Sequence, residues 1–225
     1  GPEACNIPLA MRLERRNVFL IAAIAAIGLA WALWPSPRIA NLDSRGSTVI
    51  AFGDSLTAGV GATAETNYPA RLAALTGVEI VNAGVSGDTT EDALARIERD
   101  VLARDPRIVI VGLGGNDYLR RMPIATTEAN LRAIVRRVQG AGAMVVLLGF
   151  SFPSFGASYA DMYERVADDE ECLLVEDVLD GILNDPRLKS DEIHPNAAGY
   201  ALIAERIAQP FTKLKQRADN QRSGM

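Results

Sequence analysis

Histidine is almost missing from this chain: His194 is the only one among 225 residues. A histidine-rich zinc site is therefore excluded, and a neutral-pH proton shuttle has one candidate imidazole. Cysteine is nearly as scarce. Cys5 and Cys172 stand far apart in unlike surroundings, so neither a disulfide framework nor a Cys/His cluster with metal-ligand spacing is available. Cys172 opens an apolar run and reads as a small buried hydrophobe. There is no basic stripe, and the net charge of −5 argues against nucleic acid as a partner. The spacings of a P-loop and of a dinucleotide fingerprint are both absent, which leaves no recognisable nucleotide or redox cofactor and no cofactor requirement. What remains is 48% hydrophobic and 23% charged, enough to bury a core.

The amino-terminal region differs from the rest. Residues 1–10 precede Met11, begin Gly-Pro, and read as a remnant of tag removal, set aside from fold reasoning. Arg12, Arg15 and Arg16 then lead into an uncharged apolar run from Val18 to Trp34. Seventeen residues at helical rise cover about 25 Å, at the short end of what spans a bilayer. With arginines at one end and Trp31 and Trp34 at the other, residues 11–34 read as an N-terminal apolar helix. It is an anchor in a bacterial inner membrane, a signal cut near Ala30-Trp31-Ala32 or, least readily, a buried core helix. The first two readings place the remainder outside the cytoplasm, facing the periplasm or secreted. Residues 35–47 are polar, with Pro, Asn, Asp and Gly, and read as a linker. Residues 48–210 are the expected domain, and 211–225 a solvated polar tail.

Within the domain, β-rich runs at Thr48–Phe52, Val78–Val81, Ile108–Val111, Met144–Gly149 and Cys172–Val175 alternate with helical periodicity. Leu94, Ile97 and Val101 recur at helical intervals behind the capping pattern Thr89-x-x-Asp92. Leu131, Ile134, Val135 and Val138 do so within 127–139, and Ala201, Ala204 and Ile207 within 196–208. Nearly continuous apolar strands joined by helices predict a five-stranded parallel sheet in a three-layer α/β/α sandwich. Ligands in such folds bind beyond the carboxyl ends of the strands.

Polar groups follow those strands. Ser55, in Gly53-Asp54-Ser55-Leu56, is small-flanked at a strand-to-helix turn, where its N–H meets the positive end of a helix. Gly84, in Asn82-Ala83-Gly84, leaves its N–H open to an oxyanion. Asn116, in Gly114-Gly115-Asn116-Asp117, offers a neutral amide donor. Asp191 lies three residues before His194, close enough to fix the imidazole tautomer while the other ring nitrogen faces Ser55. Alone, the serine reads equally as an ordinary turn, the glycine better as a turn glycine, the asparagine less readily as a cap or turn residue, and a lone histidine as a surface or core residue. Together the segments define one constellation.

In that order, serine, glycine, asparagine and Asp/His, the chain resembles the SGNH hydrolases, the GDSL esterase/lipase family, from about Thr48 to Ile207. The stretches Gly-Gly-Asn-Asp-Tyr118-Leu-Arg and Leu188-Lys-Ser-Asp-Glu-Ile-His-Pro-Asn look most like the bacterial thioesterase I/lysophospholipase and arylesterase branch. The resemblance implies a flavodoxin-like sheet and a catalytic triad of Ser55, His194 and Asp191. It also implies an oxyanion hole from Ser55, Gly84 and Asn116, with no metal. Glu192 departs from the branch, which often has Gly there.

The substrate expected is a small-molecule or lipid acyl ester or thioester. Tyr118, Phe152 and Phe155 are candidate acyl-pocket residues, although the aromatics from Phe150 to Tyr159 equally suit loop packing. Arg120 and Arg121 read either as phosphate contacts or as solvated charges. The rival functions are an acyltransferase or a carbohydrate O-deacetylase on the same fold, and a non-catalytic binding module. Nothing in the sequence sets the oligomeric state.

Overall fold

The computed structural model describes residues 37–151 and 157–224. The expected tag remnant, the apolar segment at 11–34, and Phe152 and Phe155 lie outside the described residues.

Five strands form one parallel sheet in the order β2-β1-β3-β4-β5. They are β1 (Thr48–Gly53), β2 (Ile80–Gly84), β3 (Pro106–Gly112), β4 (Met144–Leu148) and β5 (Leu173–Val175). The helices are α1 (Ser55–Ala58), α2 (Tyr68–Thr76), α3 (Thr90–Asp100), α4 (Gly115–Leu119), α5 (Ile124–Gly140), α6 (Ala157–Asp169) and α7 (Ala197–Ser223). The central strands are apolar on both faces, and Ile50, Ala51, Phe52, Val109, Ile110, Val111 and Val146 are fully buried. That pattern requires cover on both sides. The chain steps from β1 to β2, then reverses past β1 to β3, so right-handed crossovers put the connecting helices on opposite faces. Accordingly α2 packs on α7, while α3 and α6 pack on α5.

Local signals explain the element ends. Thr89 and Asp92 exchange hydrogen bonds in a capping box that starts α3. Asn67 caps α2 with Pro69 in its first turn, and Gly77 ends it at φ +67°. Helices α2 and α6 escaped the periodicity argument, since their apolar faces are short and interrupted.

Element bounds differ most from expectation in two places. Strand β2 runs Ile80–Gly84 rather than 78–81, because its pairing with β1 extends to the register pair Gly53/Gly84. The segment expected as a polar tail is instead the second half of α7, with Phe211, Leu214 and Ala218 buried between its charged residues. The linker is also tied down from residue 37 onward. Ile39 is buried, and Asn41 Nδ2 donates to Gln139 O and Ala143 O at 2.8 and 3.0 Å.

Candidate active site

Gly53, Gly84 and Gly112 stand in one register row at the carboxyl ends of β1, β2 and β3. A Cβ on Gly53 would run into Thr57 Oγ1 and Gly112 O, and one on Gly84 into the Thr57–Ala58 backbone. The glycine row therefore lets α1 sit directly on the sheet edge. Asp54 caps α1 through Leu56 N–H at 3.0 Å, and Ser55 is its first residue. The backbone N–H of Ser55 is thus among those a helix start leaves without an intrahelical acceptor.

The histidine arrives from the opposite end of the chain. Asp191 Oδ1 accepts from Ile193 N–H and His194 N–H, both at 2.9 Å, closing a tight turn. Ser190 N–H donates to His194 O, and Asn196 caps α7 while its Nδ2 donates to Arg187 O. Across the gap, Tyr200 Oη donates to Val60 O at 2.8 Å, tying α7 to the loop after α1. The result brings residues 139 positions apart into contact: His194 Nε2 lies 3.0 Å from Ser55 Oγ. Its Nδ1 lies 2.8 Å from Asp191 Oδ2.

The charge state of Asp191 assigns the tautomer. The Ile193 N–H, followed by the His194 side chain, holds its carboxyl down at about 2. An ionised carboxylate only accepts, so the imidazole proton sits on Nδ1 and Nε2 presents a lone pair to the Ser55 hydroxyl. Ser55 is 9% exposed, on the wall of an open cleft. Leu56, Tyr118, Leu119, Phe150, Leu179 and Leu183 are among the apolar residues that line it. Tyr118 stands edge-on to Tyr159 at 5.6 Å. Leu119 and Ile193 are 50% and 43% exposed, so apolar surface continues out to solvent.

Asn116 lines the same cleft. Its Nδ2 donates to Asp88 O at 2.9 Å and, less closely, to Asp54 Oδ2 at 3.3 Å. The neighbouring Asp117 is wholly buried and accepts from Thr90 N–H and Thr90 Oγ1. One side chain of this pair faces the cleft while the other anchors α4 to α3. Burial pushes the Asp54 carboxyl up to about 7, against the lowering effect of Leu56 N–H and His194.

Gly84 sits apart from the expected donor role. Its N–H donates to Asn82 Oδ1 at 2.9 Å, and Asn82 Nδ2 in turn donates to Thr57 O. Gly87, at φ +87°, lies one residue before the Asp88 carbonyl that accepts from Asn116, and its N–H has no acceptor among the described residues. Gly87 O accepts from Arg120 Nη2 at 2.7 Å, which gives Arg120 a structural partner rather than a free phosphate-binding head. Ser86-Gly87-Asp88, immediately before a helix capping box, was the available sequence signal for this loop.

The GDSL-like lipase/acylhydrolase family model matches residues 51–202, spanning every segment of this site. The chain belongs to that family. This GDSL-like chain is 31% identical over 176 residues to an arylesterase of Vibrio mimicus, covering 73% of itself and 88% of that protein. It is also 31% identical over 175 residues to thioesterase 1/protease 1/lysophospholipase L1 of Escherichia coli (strain K12), covering 74% and 84%. Among solved structures, the crystal structure of TesA superposes with a TM-score of 0.68 at 32% identity, covering 75% of this chain and 99% of that one. A hydrolase of ester bonds on a five-stranded parallel α/β fold is therefore the class of this protein.

Proposed function

We propose that the protein is a serine ester hydrolase acting through a Ser55-His194-Asp191 triad and an acyl-enzyme. The observation that carries this reading is the continuous relay from Asp191 Oδ2 to Nδ1, and from Nε2 to Ser55 Oγ, at 2.8 and 3.0 Å. His194 takes the Ser55 proton as the oxygen attacks an ester or thioester carbonyl, and the imidazolium that forms faces an ionised Asp191. The oxyanion then meets the Ser55 N–H and the Asn116 amide, which turns from its longer bond to Asp54. Gly87, one residue before the Asp88 carbonyl that holds Asn116, carries an unengaged N–H and is the better backbone donor than Gly84. His194 next protonates the leaving group and activates water for deacylation.

The apolar walls of the cleft support an acyl chain longer than acetyl. Within the same proposal, the arginines at 12–16 and the apolar run at 18–34 support placement outside the cytoplasm, at or near a membrane. Labelling with a fluorophosphonate probe and mapping the modified peptide tests the chemistry. Label on Ser55 supports the reading, and a folded protein that refuses the probe favours a binding module. Product analysis with added alcohol separates hydrolysis from acyl transfer. An acyl-length series separates lipid-type esters from acetyl esters, for which a strict acetyl preference would favour carbohydrate deacetylation.

A further inference from the structure

Arg96 lies in α3, eight residues past Asp88, and is 9% exposed. Its guanidinium reaches the end of the sheet instead of solvent. Nε donates to Asp88 Oδ2 at 2.5 Å, and Nη2 donates to Gly53 O at 2.9 Å. Nη1 donates to Ala83 O at 3.0 Å and to Asp100 Oδ2 at 3.1 Å. The planar group also stacks over the Phe52 ring, 4.4 Å from its centroid.

The acceptors are not arbitrary. Gly53 ends the strand that delivers Ser55, Ala83 lies at the end of the adjacent strand, and Asp88 belongs to the loop whose carbonyl holds Asn116. A buried ion pair adds little stability that a well-packed apolar side chain could not supply. A planar fork that directs donors to separate segments, by contrast, fixes their relative positions, which a lysine cannot reproduce.

We propose that Arg96 is a positioning residue for ester hydrolysis, clamping the ends of β1 and β2 and the Asp88 side chain so that Ser55 and the Gly87–Asn116 donors keep one spacing. This rests on the hydrolase reading above. Small displacements of this kind cost rate rather than affinity, about 10²-fold for about 1 Å.

The test uses Arg96→Lys, which keeps the charge and loses the fork, and Asp88→Ala, which cuts only the arm to the loop. Active sites of the full chain are titrated with a fluorophosphonate, and turnover of p-nitrophenyl butyrate is expressed per titrated site. Both variants should lose about 10²-fold in kcat per site with KM little changed. In an Asn116→Ala background, Arg96→Lys should cost far less, since both act on the same spacing. Wild-type kcat per titrated site, with only the melting temperature or the titratable fraction lowered, would overturn the clamp and leave Arg96 a structural residue. If Arg96→Lys yields no folded protein, Asp88→Ala decides by the same two outcomes. A wild-type protein that the probe does not label at Ser55 would sink the hydrolase reading itself before any variant is compared.

Discussion

Asp54 Oδ2 and Asn116 Nδ2 lie 3.3 Å apart on the wall of the cleft, so on the proposed mechanism an oxyanion would compete with Asp54 for one amide. Asp54 is 2% exposed and Asn116 has a second, shorter bond to Asp88 O. The amide is therefore held in place by the loop while its other hydrogen is weakly engaged. Replacing it removes a donor without emptying the core. Asn116→Ala should lower kcat about 10²–10³-fold with KM and melting temperature nearly unchanged. Steady-state kinetics on an aryl ester check this, and full activity would remove Asn116 from the oxyanion hole.

Asp54 also makes stability depend on pH. Its folded carboxyl titrates at about 7, above the ordinary value of 3.8, because burial disfavours the charge. Between these values the folded state binds more protons than the unfolded chain, so stability falls as pH rises from about 4 to about 7. Asp54→Asn keeps the cap on α1 and removes this dependence. The variant should melt several degrees above wild type at pH 8 and match it near pH 4. Parallel melting curves for the two proteins across that range would contradict the assignment.

Asp191 faces the opposite way electrostatically. With its carboxyl held at about 2, it remains ionised throughout the neutral range. Asp191→Asn leaves the turn but presents an amide to Nδ1, allowing the imidazole to carry its proton on Nε2. A loss of about 10²–10⁴-fold in kcat is expected, whereas Ser55→Ala and His194→Ala should abolish turnover with the fold intact. Circular dichroism with kinetics separates these cases from unfolding.

Gly84 and Gly87 should respond differently to the same methyl group. A Cβ on Gly84 would enter the Thr57–Ala58 backbone, so Gly84→Ala must push α1 off the sheet edge. Overpacking of this sort costs about 1–3 kcal/mol or more, and displaced Ser55 should lower kcat as well. A Cβ on Gly87 meets nothing within 4 Å, leaving only the cost of its positive φ. Thermal melts should therefore show the larger drop for Gly84→Ala. The reverse order would mean that the glycine row does not position α1.

The cleft predicts how chain-length preference can be moved. Leu183 lines it together with Leu179 and Phe150. Leu183→Trp fills acyl space without touching Ser55 or His194, so kcat/KM should fall for octanoyl esters and hold for acetyl esters. An equal loss on both would place the acyl chain elsewhere.

Much of this protein was determined by sequence alone. Apolar runs separated by helical periodicity dictated the parallel sheet, since strands buried on both faces have no polar alternation. A lone histidine, three residues behind an aspartate, left one candidate for the proton shuttle. Local patterns could not specify what depends on contacts between distant segments. Periodicity did not reveal that Phe211, Leu214 and Ala218 continue α7, because charged residues separate them and only packing shows which face is inward. Nor did it separate Gly84 from Gly87. The two glycines stand three residues apart, and only the approach of α1 makes one a packing position and leaves the other in the loop whose Asp88 carbonyl holds Asn116. Arg96 carries no local signal of its role, and only folding turns it inward onto three segments. Hydrophobic pattern is local and so legible in the chain, whereas hydrogen-bond partners 43 and 139 residues away exist only once the sheet has formed.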